Sequence, residues 1–192
     1  MTGRTHDLAA FTGLTLVFLA FPLQEMTIAT AITAFGANFI GGLFPDIDQP
    51  TSDLWDNFRG GKFAGRFFTK MLGGHRHISH SLIGVALISF IIEKFLFFIN
   101  PIFLVDMKIV WASFMIGVVT HLMTDSITKD GIPLLWPLKW RIGVPPLKIL
   151  RIRSGHFAEN VIIFPGLLAF TGYLLFMNQY KILDFFHNYL GK

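Results

Sequence analysis

A helix that is apolar on every face belongs inside a large core or inside a bilayer. Phe11–Leu23 and Val161–Leu175 carry no polar stripe at a 3.6-residue period. Over 192 residues the mean hydropathy is +0.57 and 53% of residues are hydrophobic, high for a soluble domain of this size. A helix that crosses a bilayer needs about 20 mostly apolar residues, with a lower limit near 17. Five segments approach that length: Leu8–Leu23, Thr27–Phe44, Ser81–Ile99 (with Glu93 and Lys94 inside it), Lys108–Thr124 and Val161–Met177. The expected fold is therefore all-α, an integral, multi-pass membrane bundle of about five helices forming one domain over residues 1–192. Arg4 followed by an apolar run has the outline of a signal peptide. No small-x-small cleavage site follows Leu23, where the chain reads Gln24-Glu25-Met26, so the first span is expected to stay uncleaved.

The ionisable motifs fall at one end of these segments. His6-Asp7 precedes the first and Pro45-Asp46-Ile47-Asp48 follows the second. His75-Arg76-His77-Ile78-Ser79-His80-Ser81 precedes the third, His121-x-x-x-Asp125 closes the fourth, and His156 and Glu159 precede the fifth. A chain that reverses at each crossing brings all five to the same membrane face. His and carboxylate side chains gathered there point to a polynuclear metal site. The chain has no cysteine, so ligands must be His, Asp, Glu or water.

Charge divides the two faces. The motif face carries Arg4, Arg59, Lys62, Arg66, Lys70, Arg76, Lys129, Lys139, Arg141, Lys148, Arg151 and Arg153, which is 12 of the 16 basic residues. Lys94, Lys108, Lys181 and Lys192 make up the other 4. Cytoplasmic loops are enriched in Lys and Arg. The motif face and N-terminus are thus expected in the cytoplasm, with the protein in the cytoplasmic (inner) membrane. Two long connections lie on this face, Gln49–Gly74 and Ser126–Ala158. The second is apolar and aromatic, and Trp136 and Trp140 suit the headgroup level.

Each motif has a plain and a chemical reading. Asp46 and Asp48, bounded by Pro45 and Pro50, would face one cation from an extended stretch, or simply end a helix as a solvated turn. His121 and Asp125 are four apart and share a helix face. They could hydrogen-bond to each other, but ionisable groups in an apolar span usually serve function. His80 is the first choice of ligand in its motif and His75 the next, with Ser79 or Ser81 as helix cap and Arg76 as a fork for phosphate. His6 gains weight from its place before a span. Glu159 could ligate a metal or complement a helix N-terminus. His187 lies on the opposite face and is excluded. There is no His-Glu-x-x-His, no Gly-x-Ser-x-Gly and no P-loop.

Pro45-Asp46-Ile47-Asp48, His75-Arg76-x-x-Ser79-His80-Ser81 and His121-x-x-x-Asp125 together resemble the YdjM-like family. Its members are described as inner-membrane-associated, metal-dependent hydrolases. The order of motifs is also similar to that of zinc-dependent phospholipase C and related zinc nucleases. That resemblance implies a first zinc held by Asp46 or Asp48, His75 or His80, His121 and Asp125, a second shared by His6 and Asp125, and a role for Glu159 at another. The chain departs from the soluble enzymes in having Asp130 where they carry a His, and in spacing His156 and Glu159 three apart instead of four. A dinuclear site is the expectation.

The function expected from these readings is metal-dependent hydrolysis of a phosphoester in a membrane lipid or lipid-linked phosphate. Nucleic acid is not an expected partner. The cofactor is two or more Zn2+, with Mn2+ or Fe2+ also suited to the ligands. Asp48 or another motif carboxylate would take a proton. Arg76, Arg141, Lys148, Arg151 and Arg153 would neutralise phosphate oxygens. Ile132–Trp140 would admit acyl chains. A divalent-metal transporter and a non-catalytic membrane regulator with a structural metal are the alternatives.

Overall fold

The computed structural model describes residues 1–21, 26–49, 63, 65 and 78–190. Six helices run through them: α1 (Gly3–Ala20), α2 (Ile28–Leu43), α3 (Leu82–Ile99), α4 (Met107–Ser126), α5 (Phe164–Met177) and α6 (Gln179–Leu190). Among the described residues extended pairing is limited to two isolated bridges, Thr128–Ile152 and Ile132–Ile142.

Side-chain caps set where the helices begin. Thr27 accepts from the Thr30 amide at 3.1 Å, and Ser81 accepts from the Gly84 amide at 3.0 Å. Asp106 accepts from the Lys108 and Ile109 amides. Each cap satisfies amides that have no partner within their own helix, which matters most where water is scarce. Of the two serines proposed to cap α3, Ser81 does so.

Four helical segments are long and apolar enough to cross a membrane among the described residues: Ile28–Ile47, Leu82–Ile102, Met107–Ser126 and Glu159–Met177. These correspond to four of the five expected spans. The remaining one, Leu8–Leu23, is described only as far as Phe21, and the helix there, Gly3–Ala20, is less apolar because it begins with Arg4, His6 and Asp7. The threonines of α1 and His6 turn inward, while Arg4 is exposed. Thr5, His6, Thr12 and Thr15 are all buried, and Thr12 meets Thr171 of α5 through a 2.6 Å hydroxyl contact. α1 packs on α2, α4 and α5.

The tightest pairing is α2 on α4, and glycine makes it possible. A Cβ on Gly117 would come within 2.6 Å of the Gly42 amide nitrogen, and one on Gly41 would overlap the Phe114 carbonyl. Close backbone approach through small residues is the usual way for helices to gain contact in lipid, where apolar burial gives little drive. Beside this crossing Phe114, Val118, Leu122 and Ile132 form a buried cluster, flanked by Phe44, Val85 and Ile88. The ligand motifs sit at the end of the crossing.

Candidate metal centre

The last turns of α4 hold His121 and Asp125, both buried. The glycine-mediated approach of α2 puts the Gly42 carbonyl 2.6 Å from His121 Nδ1. A carbonyl can only accept, so Nδ1 carries the proton and Nε2 presents a lone pair. His6 is fixed by a similar argument. The Thr124 hydroxyl donates to the His121 carbonyl at 2.8 Å, so it accepts from His6 Nδ1, also at 2.8 Å. His6 Nε2 is thereby a bare acceptor too. His80 Nδ1 lies 2.8 Å from Ser79 Oγ. All three imidazoles are held through Nδ1, an arrangement typical of metal-ligating histidines and their supporting partners.

The Nε2 atoms converge with two carboxylates. Asp46 Oδ1 is 3.6 Å from His121 Nε2 and 3.7 Å from His80 Nε2. Asp125 Oδ2 is 3.6 Å from His80 Nε2 and 3.9 Å from His121 Nε2. Asp125 Oδ1 faces the other way, 3.4 Å from His6 Nε2 and in contact with the Met1 α-amino group. His6 Nε2, His121 Nε2 and Asp46 Oδ1 are buried and have no hydrogen-bond partner. Three converging lone pairs with no proton between them are costly to bury, and a cation resolves the cost. A tetrahedral ligand set at about 2.1 Å has ligand–ligand edges of about 3.4 Å, close to the separations here. Among the described residues the ligand atoms gather in two overlapping groups close enough to hold metal, His6, Asp46 and His121, and His80, His121 and Asp125.

The Asp46 side chain, unlike those of Asp125, His80 and His121, reaches the surface, at 22% exposed. It comes from the 3-10 turn Phe44–Asp48, which Pro45 opens. The expectation of an extended stretch here is corrected. The 3-10 turn, and not an extended strand, carries Asp46 to the cluster. The Asp48 side chain, His75 and Arg76 lie outside the described residues.

Glu159 is also corrected. It is buried, but its Oε1 accepts from the Thr2 amide at 2.7 Å, the Thr2 hydroxyl at 2.6 Å and the Thr5 hydroxyl at 2.7 Å. Its Oε2 accepts from the Gly155 amide at 2.7 Å. Among the described residues Glu159 joins neither group of ligand atoms that could hold an ion, and its carboxylate is taken up by these four donors. It fastens the first turn of α1, and so His6, to the start of the fifth helix. Arg151 likewise spends Nε on the Pro145 carbonyl at 2.7 Å and Nη2 on the Pro146 carbonyl at 2.8 Å. With these two donors it braces its own loop. Arg141, Lys148 and Arg153 are exposed, and His156 lies exposed with Nδ1 on the Ser154 carbonyl.

So a membrane-embedded bundle closes His6, Asp46, His80, His121 and Asp125 into one site. The sequence profile of the YdjM inner membrane protein family matches residues 1–182. The chain belongs to that family. It is 30% identical over 180 residues to the Uncharacterized protein YvsG of Bacillus subtilis (strain 168), covering 92% of this chain and 96% of that one. It is 36% identical over 128 residues to the Inner membrane protein YdjM of Escherichia coli (strain K12), and matches that of Shigella flexneri equally. Those matches cover 62% of this chain and 56% of each relative, so the chain spans little more than half the length of either YdjM protein. No solved structure gives a significant match.

Thr124, the Gly42 carbonyl, Thr2, Thr5 and the Met1 amine are parts of the site that motif reasoning did not find. Thr124 sits within His121-x-x-x-Asp125, but nothing in the spacing marks it as the holder of His6. Thr2 and Thr5 lie more than 150 positions from Glu159.

Proposed function

We propose that the chain is a membrane-bound, two-metal hydrolase of a phosphoester in a membrane lipid or lipid-linked phosphate. One observation carries the two-metal part. The His6 and His121 rings are stacked, 3.8 Å between centroids and 11° from parallel. A nitrogen lone pair lies in its ring plane, and two nearly parallel planes at that spacing have no common point about 2.1 Å from both nitrogens. This geometry supports one cation for His6 and another for His121, although their ligand atoms lie close together. His121, His80, Asp46 and Asp125 Oδ2 would hold one, and His6 and Asp125 Oδ1 the other, with Asp125 bridging. Two-metal phosphoesterases place their ions about 3.5–4 Å apart, the spacing of these rings.

Bound divalent cations would supply Lewis acidity and a water that ionises near neutral pH. Asp46 lies at the exposed edge, where substrate would enter, and Asp48 is proposed as proton acceptor from its motif alone. Arg141, Lys148 and Arg153 stand on the same side and would bind phosphate oxygens. Arg76 is proposed for the same task from its motif alone. Zn2+ suits this ligand mix best, and Mn2+ or Fe2+ also fit. The 12-to-4 division of basic residues supports a cytoplasmic site. Transport sites lie near the bilayer midplane. These ligands occupy helix ends, which favours hydrolysis over transport.

The test is turnover. Protein loaded separately with Zn2+, Mn2+ or Fe2+ is screened on phospholipids and lipid-linked phosphates. A phosphorylated product from the parent and none from His121→Ala is expected. Metal flux into proteoliposomes, without product from any lipid phosphate, would sink the hydrolase reading. Cysteines placed singly at Lys139 and Lys148 should resist impermeant thiol reagents in intact cells. Labelling from outside would invert the topology.

A further inference from the structure

The connection from α4 to the fifth span is a built platform with an unusual outer surface. Its base is tied to the helix ends that carry the ligands. Ile132 and Ile142 exchange amide–carbonyl bonds of 2.8 Å, the Val144 amide donates to the Ser126 carbonyl at 2.9 Å, and the Leu82 amide donates to the Leu134 carbonyl at 2.9 Å. Ile132 enters the core, and Arg151 braces the interior against Pro145 and Pro146. This is not a loop whose apolar residues lack a place to go. Other apolar side chains of the same segment point outward: Leu138 is 52% exposed, Trp140 68% and Ile149 84%. Leu147 and Leu150 are exposed beside them. Between these lie the exposed cations Lys139, Arg141, Lys148 and Arg153. Residues 127–153 hold six basic residues and one acid, Asp130.

We propose that residues 133–150 lie in the headgroup layer of the membrane leaflet at the ligand end of the bundle, as an interfacial platform that binds anionic phospholipid. Three features select this occupant. The segment leaves the end of one span, Met107–Ser126, and leads to the start of another, Glu159–Met177, so it emerges at the bilayer surface. Its exposed residues are of the interfacial kind, a Trp with aliphatics among Lys and Arg. The charge excess complements anionic headgroups, to which each nearby Lys or Arg adds about 1 kcal/mol. Burial of the outward Leu and Ile side chains in the acyl boundary adds to this. A soluble protein partner would leave the continuity with the spans unexplained. The inference stands whether or not the metal cluster hydrolyses anything.

The chain has no native cysteine, so single labels can be placed without further change. Nitroxides at Leu138 and Ile149 are measured on full-length protein in nanodiscs of phosphatidylcholine with and without phosphatidylglycerol. In the anionic discs both labels should relax with oxygen more than with a water-soluble nickel chelate. Separately, the lipid shell should prefer spin-labelled phosphatidylglycerol over phosphatidylcholine. Lys139→Gln with Lys148→Gln should reduce that preference by up to about 25-fold, at about fivefold per cation. Both substitutions are at exposed positions, so folding is not at issue. Nickel access at both labels equal to that of a free nitroxide would place the segment in water and overturn the proposal. Protection from both relaxants together with Leu138–Leu138 cross-links would assign the surface to a second copy, and would also overturn it.

Discussion

α4 and the fifth span are of similar length and both apolar, yet they live in different surroundings. The span Met107–Ser126 is 44% buried within the protein, whereas Glu159–Met177 is 6% buried and Leu82–Ile102 is 11%. Hydropathy runs against the usual soluble rule: the more buried span is the less apolar, at 1.4 against 1.8 and 2.4. In lipid a leucine gains little by moving from acyl chains to protein, so apolarity marks the outside. Burial is marked instead by small and polar side chains. α4 carries Ser113, Gly117, Thr124, His121 and Asp125 on its buried face, while α5 buries Thr171 alone. The inner pair, α2 and α4, brings Asp46, His121 and Asp125 together, His6 of α1 and His80 before α3 close on them, and the bodies of α3 and α5 face outward.

The largest effect should come from the residue that joins the two proposed ion positions. Asp125→Ala removes the bridge and should abolish all bound metal in elemental analysis. His6→Ala should retain one of two equivalents, because its ring plane serves only one ion. Full metal content in Asp125→Ala would dismantle the site as drawn, and loss of both equivalents in His6→Ala would argue for a single shared centre.

Next is the crossing itself. Gly117→Ala sets a methyl against the Gly42 backbone and must push α2 from α4. Such overpacking costs about 1–3 kcal/mol. It should also draw the Gly42 carbonyl from His121 Nδ1, so stability and metal affinity fall together. Denaturant titration and metal competition on the same sample check this. A stable variant with unchanged affinity would mean the glycine approach does not position the ligand.

The one-ended placement of the ligands was legible in the sequence because span reversal is a strong geometric rule, and the four-residue step of His121 and Asp125 needs only a helix. Capping by Ser81 was legible for the same reason, since it depends on residues three apart. The misreadings share another origin. The Asp46 turn depends on whether Pro45 starts a 3-10 turn or a strand, a choice that composition alone does not make. Glu159 was read as a ligand because its four donors are set by the docking of α1, far away in sequence. The bracing role of Arg151 was not legible, because the carbonyls it binds carry no sequence signature at all. The apolar length of α1 concealed its threonine seam, since threonine lowers hydropathy only slightly.

A smaller effect tests how the imidazoles are held. Thr124→Val keeps the shape but removes the acceptor for His6 Nδ1. Supporting partners of ligating histidines are commonly worth about 10–100-fold in metal affinity. The loss should fall on the His6 equivalent alone, and Thr124→Ser should restore it. Equal weakening of both equivalents would show that Thr124 acts on helix packing and not on the His6 tautomer.

The smallest effect belongs to the outer span and closes the comparison. Leu168 on α5 is 57% exposed. In a soluble core, Leu→Ala commonly costs about 2–5 kcal/mol. Here the removed methyl groups face acyl chains, which fill the space they leave and offer the same dispersion contacts as leucine. Leu168→Ala should therefore change stability by no more than about 0.5 kcal/mol, the range of substitutions away from packed features. Val118→Ala on α4, where Val118 is fully buried against Phe114 and Leu122, supplies the contrast from the same fold. Unfolding both variants in the same bilayer mimetic measures the difference directly. A cost at Leu168 equal to that at Val118 would mean α5 is covered by protein, and the division into inner and outer pairs would have to be redrawn.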